Sequence, residues 1–129
     1  MPRMFLNGTA MAGGAHHHLV GDSPLVAATR TAPKYRFYSV GDRYPAVEYV
    51  GDGGAPVEGE VYEMTYEQLR DVLLPGEPEG LELGVIELAD GTASLSMVLR
   101  RPFGAHGSLV DISERGSWRA HRSSGRGNE

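Results

Sequence analysis

Met4-Phe5-Leu6-Asn7-Gly8-Thr9-Ala10-Met11-Ala12-Gly13-Gly14-Ala15-His16-His17-His18-Leu19 carries more information than any other stretch of this chain. An apolar run stops at a small, glycine-bearing turn, and three consecutive histidines follow. Such a turn can direct several backbone N–H groups at one point, which suits an anion such as a carboxylate. Imidazoles beside it are suited to proton transfer near neutral pH. Asn7, Gly8, Thr9, Ala10 and Met11 are therefore the candidate binding turn. The plainer alternative is a strand exit in which Gly8 only supplies backbone shape. If the histidines are helical they point about 100° apart, so not all three reach one pocket. A helical zinc site places ligands at i and i+4, and a run of three is poor geometry for it. His17 and His18 are the candidates for acid–base work, against surface or structural histidines as the alternative.

Outward from this stretch, the chain has 129 residues, 40% of them hydrophobic. That suffices for one domain with a core. We assign residues 1–124 to it and 125–129 to a flexible tail. With no cysteine, disulfides and thiolate chemistry are excluded. No stretch approaches the roughly 18 apolar residues of a membrane span, and the start lacks the apolar core of a signal peptide. A cytoplasmic location is the expectation. The net charge of −5 argues against nucleic acid as a partner. Residues 58–90 hold ten acidic side chains and only Arg70 as a base, whereas Arg115, Arg119, Arg122 and Arg126 crowd the end. A solvated acidic face followed by a polar tail accounts for this. Eleven arginines against one lysine, with 18 glycines, reflect a GC-rich coding bias more than a binding function.

Glycine and proline punctuate short segments throughout, the pattern of a mainly β protein with tight turns. Strands are expected at 3–6, 25–29, 35–40, 46–50, 57–64, 81–88 and 93–99, and a short helix at 13–20 that Gly13 and Gly14 weaken. Thr65 opens the best helix, with Gln68 placed as in a capping box. Tyr66, Leu69, Val72 and Leu73 share a face, and Pro75-Gly76 stops it. Asp90-Gly91 signals a hairpin. In strand 93–99, Ala93, Leu95, Met97 and Leu99 take one face and Ser94 and Ser96 the other, which is expected to be the wetter side. A short helix is expected over 111–120. The sum is an α+β domain: a curved or barrel-like, mainly β sheet with one main helix and short flanking helices. A partly closed sheet of this size offers a small-ligand cavity at its mouth.

Two further groups bear on chemistry. Glu77, Glu79 and Glu82 fall in one turn; in an apolar pocket such a carboxyl would have a raised pKa and could move protons, while in a solvated loop it does nothing. Glu60 lies inside an expected strand, and facing inward it must find a partner or a ligand. Trp118 and Arg119 seal one end of the core, with carboxylate binding by the arginine as the alternative. No nucleotide-binding glycine loop, serine-nucleophile elbow or paired metal-ligand motif occurs, so the expectation is chemistry without metal or organic cofactor.

The order of these pieces resembles the γ-glutamylcyclotransferase-like superfamily. Residues 5–11 followed by 13–18 are similar to its first strand, turn and histidine-bearing stretch. Tyr44-Pro45-Ala46-Val47 and Val57-Glu58-Gly59-Glu60-Val61-Tyr62 resemble two further segments of that superfamily. The likeness is closer to the C-terminal domain of allophanate hydrolases. It rests on Thr31-Ala32-Pro33-Lys34-Tyr35-Arg36-Phe37-Tyr38, on residues 80–91 ending in Asp90-Gly91, and on Asp111-Ile112-Ser113 with Gly116-Ser117-Trp118-Arg119. The cyclotransferase likeness implies a catalytic glutamate at Glu79, ahead of Gly80. The allophanate hydrolase likeness implies a histidine that processes the small carboxylated product of an amidase neighbour. Its pattern carries one histidine where Ala10 stands here and another near His17 or His18.

The expected function is a small cofactor-independent enzyme acting on a small carboxylate-bearing amide, carbamate or urea derivative. His17, His18 or Glu79 would transfer the proton, and residues 7–11 with Tyr44 and Glu60 would bind substrate. The alternatives are lactam-forming cyclisation of a γ-glutamyl amide, and a non-catalytic ligand-binding or accessory subunit of a separate amidase. The resemblance also allows a homodimer.

Overall fold

Met4, Phe5 and Leu6 are buried in succession, which marks a strand covered on both faces. They form β1 (Arg3–Leu6), the middle of a five-stranded sheet in the order β2 (Leu25–Arg30), β5 (Glu58–Glu63), β1, β7 (Ala93–Leu99), β6 (Leu81–Glu87). β1 runs antiparallel to β5 and parallel to β7. A three-stranded sheet has the order β4 (Tyr44–Tyr49), β3 (Tyr35–Val40), β8 (Leu109–Asp111). The structure, a computed structural model, describes residues 1–101 and 108–127, with 124–127 in backbone only. Residues 128–129 of the expected tail lie outside the described residues, and helix α2 spans Trp118–Gly127.

The larger sheet curls until its edge strands touch at one end. Thr31, just after β2, bridges Leu88, just after β6, and Ala32 N–H and Ala89 N–H donate to Glu87 O and Arg30 O, each at 2.9 Å. The edges pair nowhere else among the described residues, so the sheet is curved but not a closed barrel. Phe5, Phe37, Val47, Val57 and Leu73 fill the core between the sheets and the helix. Gly59 is required by a close approach: a Cβ there would stand 2.4 Å from Phe5 Cζ.

Several local expectations are corrected. The serine face of β7 is the buried one. Ser96 Oγ donates to Phe5 O at 2.9 Å and Ser94 Oγ to Arg3 O at 3.2 Å, while Leu95 and Met97 are half-buried. Small hydroxyls fit beside the neighbouring strand and bond to its carbonyls, so burial leaves them satisfied. The helix expected at 13–20 shrinks to a 3₁₀ turn over His17–Val20, because Gly13 takes φ +84° and Gly14 packs on Thr9 O.

The main helix begins as α1 (Tyr66–Gln68), widens to π geometry over Leu69–Leu73 and tightens to 3₁₀ over Leu74–Gly76. Thr65 Oγ1 caps it, accepting from Gln68 N–H at 3.0 Å. The Gln68 side chain does not complete a capping box but donates to Leu19 O at 2.8 Å. Of its expected apolar face, Leu69 and Leu73 are buried, and Tyr66 and Val72 are exposed. The expected helix at 111–120 begins only at Trp118. Asp111 is paired with Tyr38 in the smaller sheet, and Gly116 at φ +59° turns the chain before the helix can start.

Candidate functional site

A cavity of about 290 Å³ opens where the two sheets and the main helix meet. One wall is the turn at the end of β1, Asn7, Gly8, Thr9 and Ala10, together with His16. The facing wall is Arg43, Tyr44 and Pro45 at the start of β4. Glu77 and Pro78, from the loop after the main helix, close a third side, and Ser96 and Met97 of β7 complete the lining. Gly8 lets the first two walls touch, since a Cβ there would lie 2.7 Å from Pro45 Cδ. Gly76 packs on Leu19, which draws the Glu77 loop onto the histidine segment.

Asn7 is buried and its Nδ2 has no hydrogen-bond partner. The turn closes through Met11 N–H to Gly8 O at 3.1 Å, and His16 N–H donates to Thr9 O at 3.0 Å. The N–H groups of Gly8, Thr9 and Ala10 bond to no acceptor among the described residues. Glu77 is half-buried, and burial pushes its carboxyl up from 4.5 to about 7. It can therefore give or take a proton near neutral pH. His16 Nδ1 lies 2.9 Å from Thr9 Oγ1. Burial also raises the Tyr44 hydroxyl above its ordinary value.

Of the residues proposed from sequence, Asn7, Gly8, Thr9, Ala10 and Tyr44 line this cavity together. Met11 sits in the core beside it. His17 is half-buried, with Nδ1 2.9 Å from Ala10 O and its ring 5.9 Å from that of Tyr62. His18 is exposed, and its carbonyl accepts from Gly21 N–H. Glu79 is exposed, and its carbonyl accepts from Arg100 Nε at 2.8 Å.

Glu60 is buried behind the turn. Its Oε1 accepts from Ala12 N–H at 2.8 Å and from the Tyr62 hydroxyl at 2.9 Å, and its Oε2 from Arg119 Nη2 at 3.1 Å. Burial raises its pKa, but the Ala12 N–H, the Tyr62 hydroxyl and the Arg119 guanidinium outweigh this and hold it below the ordinary glutamate value. Burial and the bond to Glu60 push Tyr62 up to about 12. Glu77 and His16 line the cavity, whereas the sequence singled out Glu79, His17 and His18 from the same two clusters. Glu77 stands two residues from Glu79 in a turn whose spacing distinguishes neither, and His16 was one of three neighbours. Among the described residues no group of three His, Asp or Glu side chains is placed to hold a metal ion.

The family profile of the allophanate hydrolase C-terminal domain matches residues 2–123. The chain belongs to this family. A uropathogenic E. coli-specific protein of known structure is 30% identical, with a TM-score of 0.85 over 95% of each chain. An allophanate hydrolase of Kluyveromyces lactis is 21% identical with a TM-score of 0.84. The match covers 93% of this chain but 20% of that enzyme. An AIG2-like protein of Mus musculus is 19% identical with a TM-score of 0.62, over 80% of this chain and 82% of its own. A comparison with curated protein sequences gives no match. The fold is therefore γ-glutamylcyclotransferase-like. In K. lactis a domain of this kind forms part of a larger enzyme. Among the described residues no helix is long and apolar enough to cross a membrane.

Proposed function

We propose that this domain is a small acid–base enzyme that binds a carboxylate-bearing carbamate, urea or amide derivative in the cavity beside the Asn7 turn. The observation that carries the proposal is one small cavity lined both by Asn7, whose buried Nδ2 has no partner, and by Glu77, whose carboxyl is pushed up to about 7 by burial. A buried donor left without a partner costs stability unless something accepts from it. A ligand carboxylate or carbonyl oxygen does so.

In this mechanism Asn7 and the N–H groups of the turn hold the oxygens. When a carbamate loses CO2, the C–N bond breaks, its electron pair returns to nitrogen, and that nitrogen takes a proton. Protonated Glu77 supplies it. His16, tied to Thr9, orders the turn. Glu77 thus takes the role expected of Glu79, and His17 keeps a supporting role through Ala10 O.

A second reading, cyclisation of a γ-glutamyl amide to a lactam, uses the same residues. There ionised Glu77 takes the proton from the attacking amine, the turn N–H groups hold the developing oxyanion, and as that collapses the original amide C–N bond breaks and Glu77 returns the proton to the departing amine. The titration of Glu77 near 7 serves either direction. The test is turnover of both substrate classes by wild type, Glu77→Gln and Glu79→Gln. The proposal expects Glu77→Gln to lose about 100-fold or more in kcat and Glu79→Gln to stay within about threefold. Equal activity of wild type and Glu77→Gln, with folding intact, refutes it. Ligand binding without turnover would instead indicate an accessory or sensing module.

A further inference from the structure

Helix α2 does not line the cavity but contacts the chain next to both of its walls, at Ala12, two residues after Ala10, and at Asp42, the residue before Arg43. At its start Trp118 is buried in the core. One residue on, Arg119 Nη2 donates to Ala12 O at 2.7 Å and to Glu60 Oε2 at 3.1 Å. Glu60 Oε1 accepts the N–H of that same Ala12. The ion pair therefore takes both backbone groups of one residue and closes a ring on it. Ala12 directly follows the turn that carries Asn7.

The next turn of α2 reaches Asp42, the residue that leads into the other wall. Arg122 Nη1 donates to Asp42 O at 2.7 Å, and His121 Nε2 lies 2.8 Å from Asp42 Oδ1. Asp42 is the one non-glycine residue with positive φ, +57°, among the described residues. Such a conformation is costly for a side-chain-bearing residue and persists where its surroundings fix it. Here Ser39 Oγ, His121 and Arg122 do so. Arg43, Tyr44 and Pro45 follow directly and form the facing wall.

The geometry points to α2 as a clasp that sets the spacing of the two walls, with Arg119 as the positioning residue for the binding turn. It rests on the cavity being the binding site, as proposed above. Arg119 touches no ligand in this scheme and acts through Ala12 and Glu60. Held by α2, the Asn7 turn is organised before a ligand arrives, which lowers the ordering cost of binding.

The test compares wild type, Arg119→Met, Arg119→Lys and a control, Thr65→Ala, whose helix cap lies outside the cavity. Two readouts are taken on the whole chain: amide exchange at Ala12 and His16, and NMR titration with malonate. The clasp expects Arg119→Met to exchange at least tenfold faster at both amides and to bind malonate at least tenfold more weakly. Arg119→Lys, which keeps a cation able to bond to one of the two acceptors, recovers part of both. Thr65→Ala loses melting temperature with little change in either. Unchanged exchange at Ala12 and His16 in Arg119→Met overturns the clasp whatever malonate does. Faster exchange with no malonate binding even by wild type supports the clasp and counts against the binding site instead.

Discussion

Replacing Glu77 by glutamine should make the protein more stable at pH 8 while removing the proposed chemistry. The folded carboxyl titrates at about 7, against 4.5 when solvated. Below 4.5 both folded and unfolded states are protonated and the group contributes nothing to pH dependence. Between these values the unfolded chain releases its proton while the folded one keeps it, so folding stability falls as pH rises. Above about 7 both are ionised and the loss is complete. A displacement of this size corresponds to about 3 kcal/mol, and partial solvent access at the cavity mouth reduces it to about 2 kcal/mol. The neutral amide of the variant has no charge to bury and escapes the loss. Urea unfolding of wild type and variant at intervals from pH 4 to 8 reads the effect as a difference, in which all other titrations cancel. The variant should gain about 2 kcal/mol on wild type across the window, worth several degrees in Tm. Parallel curves for the two proteins would refute the burial of this carboxyl, and with it the proton-transfer role.

Asn7→Ala should leave stability within about 0.5 kcal/mol, because its Nδ2 has no partner to lose, yet abolish ligand binding in a thermal-shift titration. Glu60→Ala strands the Tyr62 hydroxyl and the Ala12 N–H and should cost about 2–3 kcal/mol in denaturant melts. Because the Glu60 pKa is lowered on folding, its contribution is present above the ordinary glutamate value and is lost as pH falls, so wild type and a Glu60→Gln variant should converge in acid. Gly59→Ala pushes a methyl into the Phe5 ring and should cost about 1–3 kcal/mol, read as a lowered urea midpoint.

Features that depend on a few chain neighbours were legible along the sequence. Alternation and turn residues defined most strands to within a residue or two, and Thr65 and Pro75-Gly76 bounded the main helix, because capping and chain-breaking act locally. The apolar run before Asn7 and the glycine after it located the turn that lines the cavity for the same reason. Burial was different. Ser94 and Ser96 read as a wet face, and only the packing of β7 beside β1 turned their hydroxyls inward onto carbonyls. Glu60 stood open between ligand and scaffold until Tyr62, Ala12 and Arg119, which is 59 residues away, converged on it. Glu77 and Glu79 are equivalent along the chain. The contact of Gly76 with Leu19 brings one to the cavity, and a turn leaves the other in solvent. A carboxyl's proton affinity depends on what surrounds it in space, and that is fixed by tertiary contacts rather than by sequence neighbours.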